Sequence, residues 1–207
     1  MNNFLNKLKN RVDFKFYNVS ILPLIMLILT YPAIKWLPIQ YAYENSLLEY
    51  FQLIILLITF VFCLKAKNDK VFFNSMALVV MIIFLREINC GRTVFFPIEG
   101  MENAFYSWKE IKYGYLAHPI YGIFMGLSFL YFILSKAYKI LFKYIKRAYI
   151  SFYNWCFLFI GIVFGTVGEK MGNFILEEMM ESIFYLSLFA IIYLQAYNME
   201  YIENTEI

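Results

Sequence analysis

The chain has 207 residues, of which 62% are hydrophobic and 16% charged, with a formal net charge of +3 and a mean hydropathy of +0.61. A typical soluble domain is about 45–50% apolar and about 25% charged, and a soluble fold of this length has too little interior to hide the surplus. A soluble globular enzyme, a disordered chain and a disulfide-stapled secreted domain are thereby excluded. What remains is an all-α, polytopic membrane helix bundle forming a single domain over residues 1–207.

A membrane-crossing helix needs about 20 mostly apolar residues. Six segments meet that need: 20–37, 47–64, 71–89, 118–135, 150–169 and 176–197. The first follows Lys7, Lys9, Arg11 and Lys15, as a signal peptide would. Tyr31-Pro32 offers no small-residue cleavage site, however, so the segment is read as a retained helix kinked at Pro32, with Lys35 snorkelling to the outer interface. Most of the Lys and Arg residues lie in three segments on one side: the N-terminal tail, the second-to-third loop (Lys65, Lys67, Lys70) and the fourth-to-fifth loop (Lys136, Lys139, Lys143, Lys146, Arg147). Lys35, Arg86, Arg92, Lys109, Lys112 and Lys170 lie on the other. The positive-inside rule therefore puts both termini in the cytoplasm. Charges spread over short loops are a topology signal, so no nucleic-acid partner is expected. The Lys/Asn/Ile-rich style, without organelle signals, points to a bacterial plasma (inner) membrane. Cys63, Cys90 and Cys156 show no CxxC spacing, and Cys90 lies on the opposite side from the other two. Neither a zinc site, a redox motif nor an intrachain disulfide is expected.

The fourth helix carries Gly122-x-x-x-Gly126, and the fifth carries Gly161-x-x-x-Gly165 followed by Gly168-x-x-x-Gly172. Small residues four apart let helix backbones approach closely in lipid. The pattern fits tight packing within the chain, or a homodimer seam through Gly122, Gly126, Gly161 and Gly165. No internal repeat is visible, so an inverted-repeat transporter is not supported. Between the third and fourth helices, Met101, Phe105, Trp108, Ile111 and Tyr115 fall at helical spacing, with Glu102, Lys109 and Lys112 on the other side. This predicts an outer interfacial helix over 101–113, ending near Gly114 and serving as anchor or lid. The acidic tail 200–207 is expected to fray.

Most of the acidic residues sit on the outer half. Counting about 20 residues outward from each inner helix end places Glu49, Arg86, Glu87 and Glu181 about one turn inside the outer boundary. Glu169 and His118 fall at it. Gln52 lies one turn below Glu49 on the same face, and Glu177 and Glu181 share another. An ionised side chain in lipid costs several kcal/mol unless paired or hydrated, so such groups face the bundle interior and mark function. The catalytic candidates are Glu49, Glu87, His118 and Glu181. The substrate-binding candidates are Gln52, Arg86, Arg92, Glu169 and Glu178. Arg86 and Arg92 supply counter-charge, with Lys170 behind them. A plainer reading makes Glu177 and Glu178 helix-end acids favoured by the helix dipole, and His118-Pro119 a helix start. There is no HExxH, GxSxG or phosphate loop and no second histidine, so the sequence calls for no metal and no cofactor.

Three segments taken together carry a likeness: Glu44-Asn45 with Leu48-Glu49-Tyr50-Phe51-Gln52, then Arg86-Glu87-Ile88-Asn89-Cys90-Gly91-Arg92, then Glu177-Glu178-x-x-Glu181. They resemble a loose group of bacterial multi-pass inner-membrane proteins, without an established activity, that carry a Glu-Ile-Ser-Trp-Gly-Gln/Arg type motif at a helix end. Here Asn89 and Cys90 stand where that motif has Ser and Trp, and Arg86 where a second Glu is common. The resemblance implies that Glu49, Gln52, Glu87, Gly91, Arg92, Glu178 and Glu181 form one constellation.

Three functions stay open, in this order. The first is a non-catalytic accessory or assembly factor with a membrane-protein partner. The second is an intramembrane enzyme on a lipid or lipid-linked substrate, its carboxylates acting as acid and base or ligating a divalent metal, with Arg92 holding a phosphate. The third is an ion or proton-coupled transporter using the acids as a relay. Against the third, the inner half offers few polar groups, chiefly Asn74, Ser75, Asn154 and Gln195.

Overall fold

The structure, a computed structural model, describes residues 12–99, 101, 103–147 and 150–206. The basic positions Lys7, Lys9 and Arg11 and the acidic Glu102 lie outside the described residues. The helices of eight residues or more are α1 (Ile21–Trp36), α2 (Leu47–Lys65), α3 (Lys70–Glu87), α4 (Ala117–Leu134), α5 (Ala137–Arg147), α6 (Phe152–Met171), α7 (Phe174–Tyr197) and α8 (Met199–Glu206). The two-residue strands β1 (Val12–Asp13) and β2 (Ile150–Ser151) pair in parallel. Four stretches are long and apolar enough to cross a membrane: Asn18–Trp36, Ile39–Lys65, Gly114–Leu134 and Phe152–Met171. A fifth is α3 taken together with Asn89–Phe95, bent by 56°.

α7 is the axis of the bundle, packed against α1, α2 and α6. Beyond its acidic first turns it buries residues on every side, including Ile183, Tyr185, Ala190 and Leu194, as an all-round apolar stretch must. α2 and α3 meet it through Leu56, Phe73, Ala77 and Val80, with Tyr185 and Leu186 on the α7 side.

α6 and α7 form a hairpin whose turn is built by local rules. Gly172 adopts φ +64°, and the Gly172 and Asn173 N–H groups return to the last carbonyls of α6, an αL helix stop that glycine adopts without strain. Asn173 Oδ1 then accepts from the Leu176 N–H at 3.1 Å, capping α7. Glycines bring the helices into backbone contact. A Cβ on Gly161 would meet Met180 O and Phe184 N at 2.8 Å, and one on Gly168 would meet Glu177 N at 2.7 Å. Gly161 and Gly165 thus pack on α7 inside the chain, the first of the two placements the pattern allows. Gly122 and Gly126 face open space.

Three further expectations change. Among the described residues of 101–113 there is no helix, only turns and a single bridge between Pro97 and Phe105. Asn103 and Tyr113 are left-handed (φ 53° and 65°), which breaks helical continuity. Phe105 and Trp108 are drawn instead to Arg92 and His118. The segment after α4, treated as a loop, holds the amphipathic helix α5, whose Tyr144 stacks on Phe72 at 4.8 Å. The tail expected to fray is held through Tyr201. This residue is fully buried, and its hydroxyl donates to Asp13 Oδ2 at 2.9 Å. Tyr17 OH donates to the same oxygen at 2.6 Å, and Lys15 pairs with Glu200.

Gly161→Ala forces a methyl against backbone atoms and is expected to destabilise by about 1–3 kcal/mol. Gly122→Ala, in open space, is expected to be neutral or stabilising by up to ~1 kcal/mol; denaturant unfolding in detergent compares the two. Burial, reinforced by the Asp13 carboxylate, pushes the Tyr17 and Tyr201 hydroxyls up from the ordinary tyrosine value. The folded chain then keeps protons that the unfolded chain releases above about pH 10, so this stability is complete below that pH and is lost as pH rises beyond it. The melting temperature is expected to fall in that alkaline range, and to fall less steeply in Tyr17→Phe.

Candidate functional site

The N-terminal ends of α2 and α7 meet the C-terminal end of α3 in a polar layer. Glu49, the third residue of α2, reaches back over the helix start and accepts from the Asn45 backbone N–H through Oε2. The contact resembles a capping-box reach-back displaced to the residue before the Ser46 N-cap. The Asn45 side-chain amide donates to the Thr93 carbonyl, which fastens the start of α2 to the turn after α3. In that turn Asn89, Cys90 and Gly91 run left-handed in succession (φ 45°, 53° and 91°). Only Gly91 adopts this conformation without steric cost. The turn is braced from within: Gly91 N–H donates to Ile88 O at 2.7 Å and Thr93 Oγ1 to the same oxygen at 3.2 Å. With its amide oxygen turned toward Arg92, Asn89 accepts from Nε and Nη2 at 3.2 and 2.9 Å.

Two polar knots follow. In the first, Gln52, fully buried, donates from Nε2 to the Glu178 carboxylate at 2.8 Å and to its carbonyl at 2.9 Å, joining α2 to α7. In the second, Arg86 Nη2 lies 3.0 Å from Glu87 Oε1 and 3.9 Å from Glu181 Oε1. Tyr185 OH donates to Glu87 Oε1 at 2.7 Å, joining α7 to α3. The Glu87 side chain is only 10% exposed and that of Arg86 66%, so the carboxylate is buried and its partner reaches outward.

Beside the second knot is a half-open cavity of about 250 Å³ between α3, α6 and α7. Arg86, Glu169, Glu177 and Glu181 line its charged end, and Gly161, Ile162 and Phe184 its apolar end. Glu169 and Gly161 are eight residues apart on α6, so the gradient runs about 12 Å along the helix. A second hollow, of about 440 Å³, is apolar and lies against α1, α2 and α7, lined by Leu22, Ile25, Phe51 and Phe189 among others.

The loop before α4 is fastened to this layer. Asn103 Oδ1 accepts from the Glu44 N–H at 3.2 Å, and the Phe105 ring centre lies 6.0 Å from the Arg92 guanidinium. Within the loop, hydrogen bonds from the Ser107 side chain and backbone hold the Glu110 carboxyl below its usual range.

The structure thus joins Gln52 to Glu178, with Glu49 within electrostatic reach of Glu178, and separately Arg86, Glu87 and Glu181, with Glu169 on the cavity wall. Arg92 serves the turn and Phe105. His118 is not brought to the carboxylates: it is exposed at the start of α4 with its ring 6.0 Å from that of Trp108, and among the described residues no carboxylate bonds to it. Nor is any group of three or more His, Cys, Asp or Glu among the described residues placed to hold a metal ion. Sequence reasoning missed Asn45, Thr93 and Tyr185. Tyr185 lies one turn after Glu181 on α7, so helical spacing carried a signal for it, whereas Asn45 stands before α2 in a left-handed conformation. The Asn45–Thr93 link spans 48 positions and left none. Comparison with protein-family models, curated proteins and solved structures finds no match to the chain.

Tyr185→Phe removes a donor from a buried carboxylate and is expected to cost about 1–3 kcal/mol. Tyr121→Phe removes only a 3.3 Å bond from a half-buried hydroxyl to Ile82 O and is expected to cost about 0.5 kcal/mol or less. Unfolding midpoints of the two variants in one detergent make the comparison.

Proposed function

We propose that the chain is a six-span protein of a bacterial plasma membrane with both termini cytoplasmic, and that it acts without catalysis as an accessory or assembly factor. In this reading its outer-level cavity receives the polar head of an amphiphile, a membrane lipid or a lipid-linked molecule. The carrying observation is the polarity gradient of the cavity, charged from Arg86 to Glu169 and apolar at Gly161, Ile162 and Phe184. That gradient matches a headgroup above and an alkyl stem below. Arg86 offers a planar donor set suited to phosphate, and the three carboxylates suit an ammonium.

Two features favour binding over catalysis. Glu87 takes donors from both Arg86 and Tyr185, so the most buried acid of this knot is held as a braced acceptor. The histidine that would serve best as a proton carrier stands apart on α4. The sixth span is α7, whose 24 residues extend about 36 Å at 1.5 Å per residue, enough to cross a bilayer. The resemblance in the three segments supports the constellation, because all three contribute to the polar layer.

Native mass spectrometry of the full chain released from a mild detergent tests the reading. A stoichiometric phospholipid adduct is expected on the wild type. Arg86→Ala and Glu181→Gln are expected to weaken it roughly tenfold or more, the effect of losing one charge-assisted hydrogen bond. A bare wild-type chain overturns the reading, and turnover of the bound lipid replaces it with the intramembrane enzyme.

A further inference from the structure

Glu49 and Glu178 differ from the other acids of the layer. Glu87 and Glu181 face the Arg86 guanidinium. Neither Glu49 nor Glu178 has a cationic partner within 4 Å among the described residues. Yet Glu49 is only 5% exposed, and an ionised carboxylate at such a place costs several kcal/mol unless a positive charge meets it.

Neighbouring residues carry buried oxygens without a hydrogen-bond partner. Gln52 gives its N–H to Glu178, and its Oε1 is buried without a hydrogen-bond partner. Ser182, one turn after Glu178 on the same face of α7, is fully buried with its Oγ also without a partner. Asn45 Oδ1, on the residue whose N–H holds Glu49, is a third such oxygen. Glu49 and Gln52 share one face of α2, Glu178 and Ser182 share one face of α7, and the Gln52–Glu178 bond sets these faces against each other. Glu44, Glu87 and Glu181 lie within electrostatic reach and deepen the negative potential, while Arg86 is engaged by Glu87 and Glu181.

We propose that Glu49, Gln52, Glu178 and Ser182 form a binding site for a dehydrated alkali-metal cation. Hard cations take carboxylate and carbonyl oxygens, and such oxygens replace the hydration shell of an ion inside a membrane protein. One oxygen of each carboxylate already accepts an N–H, and half of the ligating residues are neutral. That weak, mixed set suits a single positive charge better than the carboxylate-rich sets that hold calcium. The bound ion offsets the buried charge and clamps α2 to α7.

The test is thermal unfolding of the purified full chain in mild detergent, with sodium chloride titrated against choline chloride at constant ionic strength. A melting temperature that rises and saturates with sodium supports the site, since a ligand of the folded state stabilises it by mass action. Glu178→Gln and Ser182→Ala are expected to weaken the apparent sodium affinity at least tenfold, and Glu99→Gln, on the loop, to leave it unchanged. Identical melting in sodium, potassium and choline chloride overturns the proposal, as does a wild-type response to pH alone, which would assign the pair a shared proton. The wild-type titration decides even where a variant fails to fold. The sodium response also stands apart from any lipid adduct, because Arg86 and Glu181 are not ligands.

Discussion

The backbone contact of α6 on α7 sets the rest of the molecule. In lipid there is no hydrophobic drive to press one helix on another, so close packing and small residues must do it. Gly161 and Gly168 let α6 lie within touching distance of Met180, Phe184 and Glu177. That contact fixes the rotation of α7 about its axis. With the rotation fixed, Glu178 turns toward α2, Glu181 and Tyr185 toward α3, and Glu177 toward the cavity beside Glu169. Larger residues at the two glycines would part the helices and, with them, the floor of that cavity.

The polar layer solves an energetic problem in two ways. Around Glu87 the charge is met by charge: Arg86 pairs with it and Tyr185 adds a hydrogen bond. Around Glu178 the carboxylate is met by a neutral amide donor, Gln52. A bundle that needed acids only for solubility at a helix end would leave them in water, as the helix dipole permits. Here Gln52 and Tyr185 cross between helices to reach them. Each such crossing both satisfies a buried group and pins two helices together, so the polar layer is also a fastening.

The sequence made the helical class legible because long apolar runs have few alternatives in lipid. All six apolar segments became helices, with boundaries shifted by a few residues. The depth of Glu49, Glu87 and Glu181 was legible too, since rise per residue converts position into height. Rotation was not legible, and it decides partners: counting put His118 at the level of the acids, whereas α4 turns it to Trp108. The 101–113 segment misled for a related reason. Its aromatic spacing suits a helix on a membrane surface, but Arg92 and His118 offered its rings protein partners, and Asn103 and Tyr113 could take left-handed turns. The glycine pattern likewise could not say which seam lay inside. Only the path of the chain, which returns through Gly172 and Asn173, pairs α6 with α7.

The knot at the other end of α7 has a consequence for synthesis. Asp13 is 3% exposed and shares one carboxylate oxygen between Tyr17 and Tyr201. Tyr201 is separated from it by 188 positions, and β2, which pairs with β1, by well over a hundred. Chains emerge from the ribosome at roughly 5–20 residues per second, so Asp13 waits on the order of ten seconds or more for its second tyrosine. Over that interval the early helices have been delivered to the membrane while the clasp that holds the segment before α1 stays open. The order of assembly is thus written into the contact: the clasp fastens only around a bundle already made.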